Sequence, residues 1–112
     1  MLKRLAIVFA AITMILGASV ASPEESGPGA RERDGLVLAE RMCAQCHAIA
    51  KSGVSAHSAA PAFRDLSHRV DLDDFTTRLR DGLVSGHPDM PTFRFSREDA
   101  SALTAYLRYI QK

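Results

Sequence analysis

Cys43-Ala44-Gln45-Cys46-His47 is the stretch around which this chain has to fold. Two thiols three residues apart stand about one helical turn from each other. Each can form a thioether with one of the two vinyl groups on a haem edge. The histidine that follows then falls beneath the iron and offers a neutral imidazole nitrogen. The pattern C-x-x-C-H therefore points to one covalently attached haem c, with Cys43 and Cys46 as tethers and His47 as an iron ligand. Other uses of the same cysteines are a redox pair, a lone disulfide or half of a zinc site. A redox pair wants a βαβ setting, and the chain shows no strand-like alternation of useful length. A zinc site wants two further ligands at suitable spacing, and His57 and His68 stand in no such pattern; both read as solvated histidines.

A six-coordinate haem needs a second axial ligand. Of the four methionines, Met1 and Met14 belong to an N-terminal apolar segment, and Met42 adjoins Cys43 on the attachment side. That leaves Met90, in His87-Pro88-Asp89-Met90-Pro91-Thr92-Phe93. A thioether is a soft ligand that favours ferrous iron and raises the potential. The two prolines restrict the loop that carries it. A methionine in such a polar loop is a poor core residue. His87 is the rival ligand and would give bis-histidine coordination.

Outward from these residues the pattern is helical. Leu36, Ala39 and Cys43 share one face of a first helix, for which Asp34 can serve as N-cap. Residues 48–60 read as a loop. Asp71 opens a second helix with Asp74 as a capping-box partner; Leu72, Phe75 and Leu79 share its inner face, and Gly82 ends it. Gly86, Pro88 and Pro91 prevent a continuous helix between Val84 and Phe95. Ser96 with Asp99 caps a last helix, whose buried stripe is Ala100, Leu103, Leu107 and Ile110 with Tyr106 beside it. The fold class is all-α, with three to four short helices and loops.

The N-terminal 21 residues, MLKRLAIVFAAITMILGASVA, have the charged start, apolar middle and small-residue end of a secretory signal peptide. Cleavage is expected after Ala21. An uncleaved segment would act as a membrane anchor, although its apolar run is short of the roughly 20 residues a span requires. Residues 22–34, rich in Pro, Gly and charge, read as a flexible leader, and residues 35–112 as the domain. Lys plus Arg number 14 and Asp plus Glu 13, a balance that argues against a nucleic-acid partner. Cleavage leaves 91 residues, of which 22 are large apolar ones. So small a domain with so few large side chains is short of core. A haem would supply the missing apolar bulk, with Leu36, Phe63, Leu66, Leu79, Phe93, Leu103 and Leu107 packed around it.

The chain resembles the class I c-type cytochromes over nearly all of residues 34–112. The resemblance rests on C-x-x-C-H followed by M-P-x-F, on Gly35 eight residues before Cys43, and on Leu103-Thr104-Ala105-Tyr106-Leu107 in the last helix. It implies a cytochrome c-like domain wrapped around the haem, with Gly35 crossing the last helix against Tyr106, and Leu103 alongside. A missing side chain permits that approach. It also implies that the Pro61 carbonyl accepts from the other nitrogen of His47, although Ala60 stands where the family has glycine.

The function expected on this basis is an exported one-electron carrier. It is not an enzyme: its iron is closed by His47 and Met90, and it works with transient redox protein partners in a bacterial periplasm. A cytochrome subunit of a larger periplasmic dehydrogenase or oxidase fits the same features. A haem sensor or peroxidase-like enzyme would require Met90 to be labile or off the iron. Among seven arginines (Arg64, Arg69, Arg78, Arg80, Arg94, Arg97, Arg108), one or two are expected to pair with haem propionates.

Overall fold

A computed structural model describes residues 27–112. The expected signal segment and the first part of the expected leader lie outside the described residues. Among the described residues there are three α-helices, α1 Ala30–Met42, α2 Leu72–Asp81 and α3 Arg97–Ile110, with a 3₁₀ helix, Phe63–His68, between α1 and α2. The fold is all-α. The one strand-like pairing among the described residues is an antiparallel bridge between Leu83 and Phe93.

Helix α1 begins earlier than its sequence pattern suggests. Gly29 is the N-cap, and Asp34 lies inside the helix rather than at its start. Ala30, Arg31, Glu32 and Arg33 are adequate helix formers, and Glu32 places negative charge in the first turn, where the helix dipole favours it. Residues 30–34 are thus helical and not part of a leader. The two other N-caps sit where the sequence places them. Asp71 accepts from the N–H groups of Asp73 and Asp74, and Ser96 accepts from that of Asp99. Gly82, at φ 127°, ends α2 in a conformation that L side chains rarely adopt.

Helix α3 is the spine. Ala100, Leu103, Tyr106, Leu107 and Ile110 are buried along it, with Leu79 of α2 and Ala39 of α1 packed into the same core. At Gly35, α1 meets α3 so closely that a Cβ there would stand 2.0 Å from the Ala102 carbonyl oxygen and 2.8 Å from Tyr106 Cβ. The crossing therefore needs glycine, which repays the helix propensity lost there. Thr76 and Thr104 meet hydroxyl to hydroxyl at 2.7 Å where α2 lies on α3. Gln111, just past α3, holds the 3₁₀ helix. Its Nε2 donates to the carbonyls of Phe63 and Leu107, and its Oε1 accepts from the N–H of Ser67. Tyr106 donates its hydroxyl to the Ile49 carbonyl at 2.7 Å, tying the spine to the chain just after Cys46 and His47.

Candidate functional site

The three helices and their loops enclose a cavity of about 530 Å³. Cys43, Cys46 and His47 line it from the end of α1, Met90 and Pro91 from the α2–α3 loop. Phe63, Leu66, Phe75, Leu79, Leu83, Phe93, Phe95 and Leu103 make up most of the apolar remainder. Such a volume suits a cofactor rather than a single metal ion, since small-molecule sites run to roughly 300–1,000 Å³.

The C-x-x-C-H motif is shaped by the way α1 ends. Cys43 is its C-cap and bonds back to Ala39. The N–H groups of Cys46 and His47 both bond to the Cys43 carbonyl, at 3.1 and 2.9 Å, so the motif closes on itself as one tight turn. Both cysteines are unbridged. Burial pushes the Cys43 thiol up to about 11, which keeps it protonated at neutral pH. A thioether has no proton to lose and is at ease in the same apolar place.

His47 is fixed by its surroundings. Its Nδ1 lies 2.8 Å from the Pro61 carbonyl oxygen. A carbonyl can only accept, so Nδ1 carries the proton and Nε2 keeps its lone pair. The ring also packs on Phe63, with centroids 5.2 Å apart. Phe63 is placed in turn by its N–H bond to the Ala48 carbonyl and by Gln111.

Met90 sits on the loop that joins α2 to α3. The base of this loop is closed by the Leu83–Phe93 bridge, whose two bonds are 2.7 and 3.3 Å, and by the N–H of Phe95 on the Leu79 carbonyl. Arg78 and Arg94 add donations to the carbonyls of Val84 and Asp81. Gly86, at φ 79°, turns the chain inside the loop. Met90 is half-buried and its N–H bonds to the His87 carbonyl.

The structure thus brings Cys43, Cys46, His47, Pro61 and Met90 to one cavity. Of the seven apolar residues expected around it, Phe63, Leu66, Leu79, Phe93 and Leu103 line it, whereas Leu36 and Leu107 do not. Leu107 is fully buried in the helical core, and Leu36 packs against that core from α1. Their places are taken by Phe75, Leu83 and Phe95, the last two set by the loop's β-bridge and its flanking bond. His68 is exposed, as expected, but His57 is not a free solvated side chain. It lines the cavity and contacts Asp89 and His87. Arg69 and Arg78 reach the cavity, and the other five arginines do not.

The donor set fits a haem. Two unpaired thiols, an imidazole with its lone pair held free and a thioether line one mainly apolar cavity of cofactor size. No three His, Cys, Asp or Glu side chains gather as a metal site among the described residues, which leaves zinc without a ligand set.

The comparisons agree with this chemistry. The family described as "Cytochrome C oxidase, cbb3-type, subunit III" matches residues 30–107. Cytochrome c-552 of Bradyrhizobium diazoefficiens is 35% identical over 89 residues, covering 80% of this chain and 84% of that protein. No solved structure matches the chain significantly. With the C-x-x-C-H motif, the cavity and the last-helix crossing all in place, the chain belongs to the cytochrome c family, as an all-α c-type cytochrome of the electron-carrier kind.

Proposed function

We propose that this protein is an exported mono-haem cytochrome that carries one electron at a time between redox proteins of a bacterial periplasm. In this reading Cys43 and Cys46 would hold haem c through two thioethers, and His47 and Met90 would ligate its iron. The observation that carries it is the convergence of these four side chains on one cavity, with His47 Nδ1 committed to Pro61. Haem, when bound, would supply a one-electron couple. The chain's own residues supply the rest. Pro61 keeps His47 in the tautomer that presents Nε2. The loop base holds Met90 at the cavity, so little would have to move when an electron passes. Phe63, Phe75, Leu79 and Phe93 keep water away. Arg69 and Arg78 line the cavity and would be the guanidiniums available to propionate carboxylates. Export is supported by the signal-like residues 1–21. Among the described residues, no helix is long and apolar enough to cross a membrane; an uncleaved N-terminal segment would be the route to membrane attachment.

The test is the visible spectrum and redox titration of the exported holoprotein. A sulfur-to-iron charge-transfer band in the oxidised form, lost in Met90→Ala, is expected. Its absence from the wild type, together with ready binding of carbon monoxide, would instead support a sensor or peroxidase-like role. The matched family is described as an oxidase subunit, which favours a second reading in which the domain serves inside a larger oxidase. Isolation in a stable stoichiometric complex would select that reading over the free carrier.

A further inference from the structure

His57 follows the attachment motif by ten residues and reaches across the cavity rim to the opposite loop. Its N–H donates to the Cys46 carbonyl at 3.1 Å, which ties its backbone to the attachment turn. Its Nδ1 accepts from the N–H of Ala59 at 3.1 Å. The neutral ring therefore carries its proton on Nε2, which donates to Asp89 Oδ2 at 3.2 Å. Asp89 immediately precedes Met90. His87 completes the arrangement: its ring meets that of His57 edge-on at 5.5 Å, its Nδ1 accepts from the N–H of Asp89, and its carbonyl accepts from the N–H of Met90.

The loop has little else to hold its tip. Residues 84–89, 91 and 92 are exposed, and the β-bridge pins only the base. Among the described residues, the His57–Asp89 bond is the one hydrogen bond that reaches residues 85–92 from outside the loop. We propose that His57 and Asp89 form a clasp that positions Met90, holding the loop tip over the cavity and limiting how often the thioether can withdraw. His57 is thus a positioning residue, acting through Asp89. The inference rests on the reading of Met90 as an axial ligand.

The experiment measures capture of cyanide by the oxidised holoprotein, a reaction that waits for Met90 to leave. The pair is partly exposed, with side chains 34% and 65% accessible, and such pairs are modest in strength. His57→Ala and Asp89→Ala should each speed capture roughly two- to fivefold, and the double variant should be no faster than the faster single one. His57→Gln, which keeps an N–H donor, should return the rate to within about twofold of the wild type. Hydrogen exchange supplies a readout that does not depend on the iron: the amide of Met90 should exchange faster in His57→Ala, with α3 amides unchanged. Unchanged capture, additive effects, or faster exchange across α3 in step with capture would overturn the clasp. Met90→Ala separates the two claims. If it speeds capture strongly while His57→Ala does not, the clasp alone is wrong. If Met90→Ala leaves capture at the wild-type rate, the ligand assignment fails and the clasp fails with it.

Discussion

Gly35→Ala is the sharpest perturbation of the fold. On an exposed helix the change would stabilise by about 1 kcal/mol, because alanine is the better helix former. Here the new Cβ would lie 2.0 Å from the Ala102 carbonyl oxygen, 2.6 Å from its carbon and 2.8 Å from Tyr106 Cβ. Ordinary contact begins near 3.4 Å, so α1 and α3 would have to part by about 1.4 Å at this point. The obstacle is helix backbone, which cannot rotate aside like a side-chain tip. Parting the helices also loosens Ala39 and Tyr106, both buried, and strains the Tyr106 bond to the Ile49 carbonyl. Overpacking in a tight core costs about 1–3 kcal/mol and sometimes more. With a rigid obstacle the upper end applies, and a net loss of about 2 kcal/mol is expected after the propensity gain. For a domain of this size that lowers the thermal midpoint by roughly 8–16 °C. The assay is thermal unfolding of the holoprotein followed by far-ultraviolet circular dichroism. Gly27→Ala is the control, since a Cβ there meets nothing within 4 Å. A Gly35→Ala midpoint equal to or above that of the wild type would refute the close crossing.

Two further outcomes follow from single contacts. Tyr106→Phe removes the donor to the Ile49 carbonyl and should cost about 1–2 kcal/mol in denaturant unfolding. Burial first, then the charges of Glu40 and Tyr109, raise the Tyr106 pKa, so its hydroxyl stays a donor throughout the neutral range. Asp71 is held below the usual carboxylate range by the N–H of Asp74 first, then that of Asp73, with Arg108 adding a smaller pull. A folded-state pKa that is depressed stabilises fully above the unfolded value and loses that contribution as pH falls through the folded one. The stability gap between wild type and Asp71→Asn should therefore be constant above about pH 5 and close as pH falls below about 4. Denaturant midpoints at several pH values measure it.

What could be read without coordinates depended on how local the signal was. Asp71 and Ser96 announce α2 and α3 because a cap and its N–H partners lie within three residues. The C-x-x-C-H turn is equally local, with the N–H groups of Cys46 and His47 both on the Cys43 carbonyl. Asp34 misled for the same reason: its residue type suits a cap, but Ala30 to Arg33 extend the helix past it. Leu107 could not be assigned to core or cavity, because both lie along the same spine and only the positions of neighbouring helices decide between them. The 3₁₀ helix has too little periodicity to read, and Gln111 holds it from more than 40 residues away. The His57–Asp89 pair joins residues 32 apart and depends wholly on how two loops meet over the cavity.

The central claim is that Cys43 and Cys46 hold one haem. It is tested most directly by the intact mass of the exported protein, produced in a host that matures c-type cytochromes and measured after full denaturation. A chain heavier by one haem is expected, with the added mass confined to the peptide containing Cys43 and Cys46 and resistant to extraction by acid. A Cys43→Ala, Cys46→Ala double variant should have the bare mass. A wild-type chain of bare mass, or one whose two cysteines are joined to each other, would contradict it.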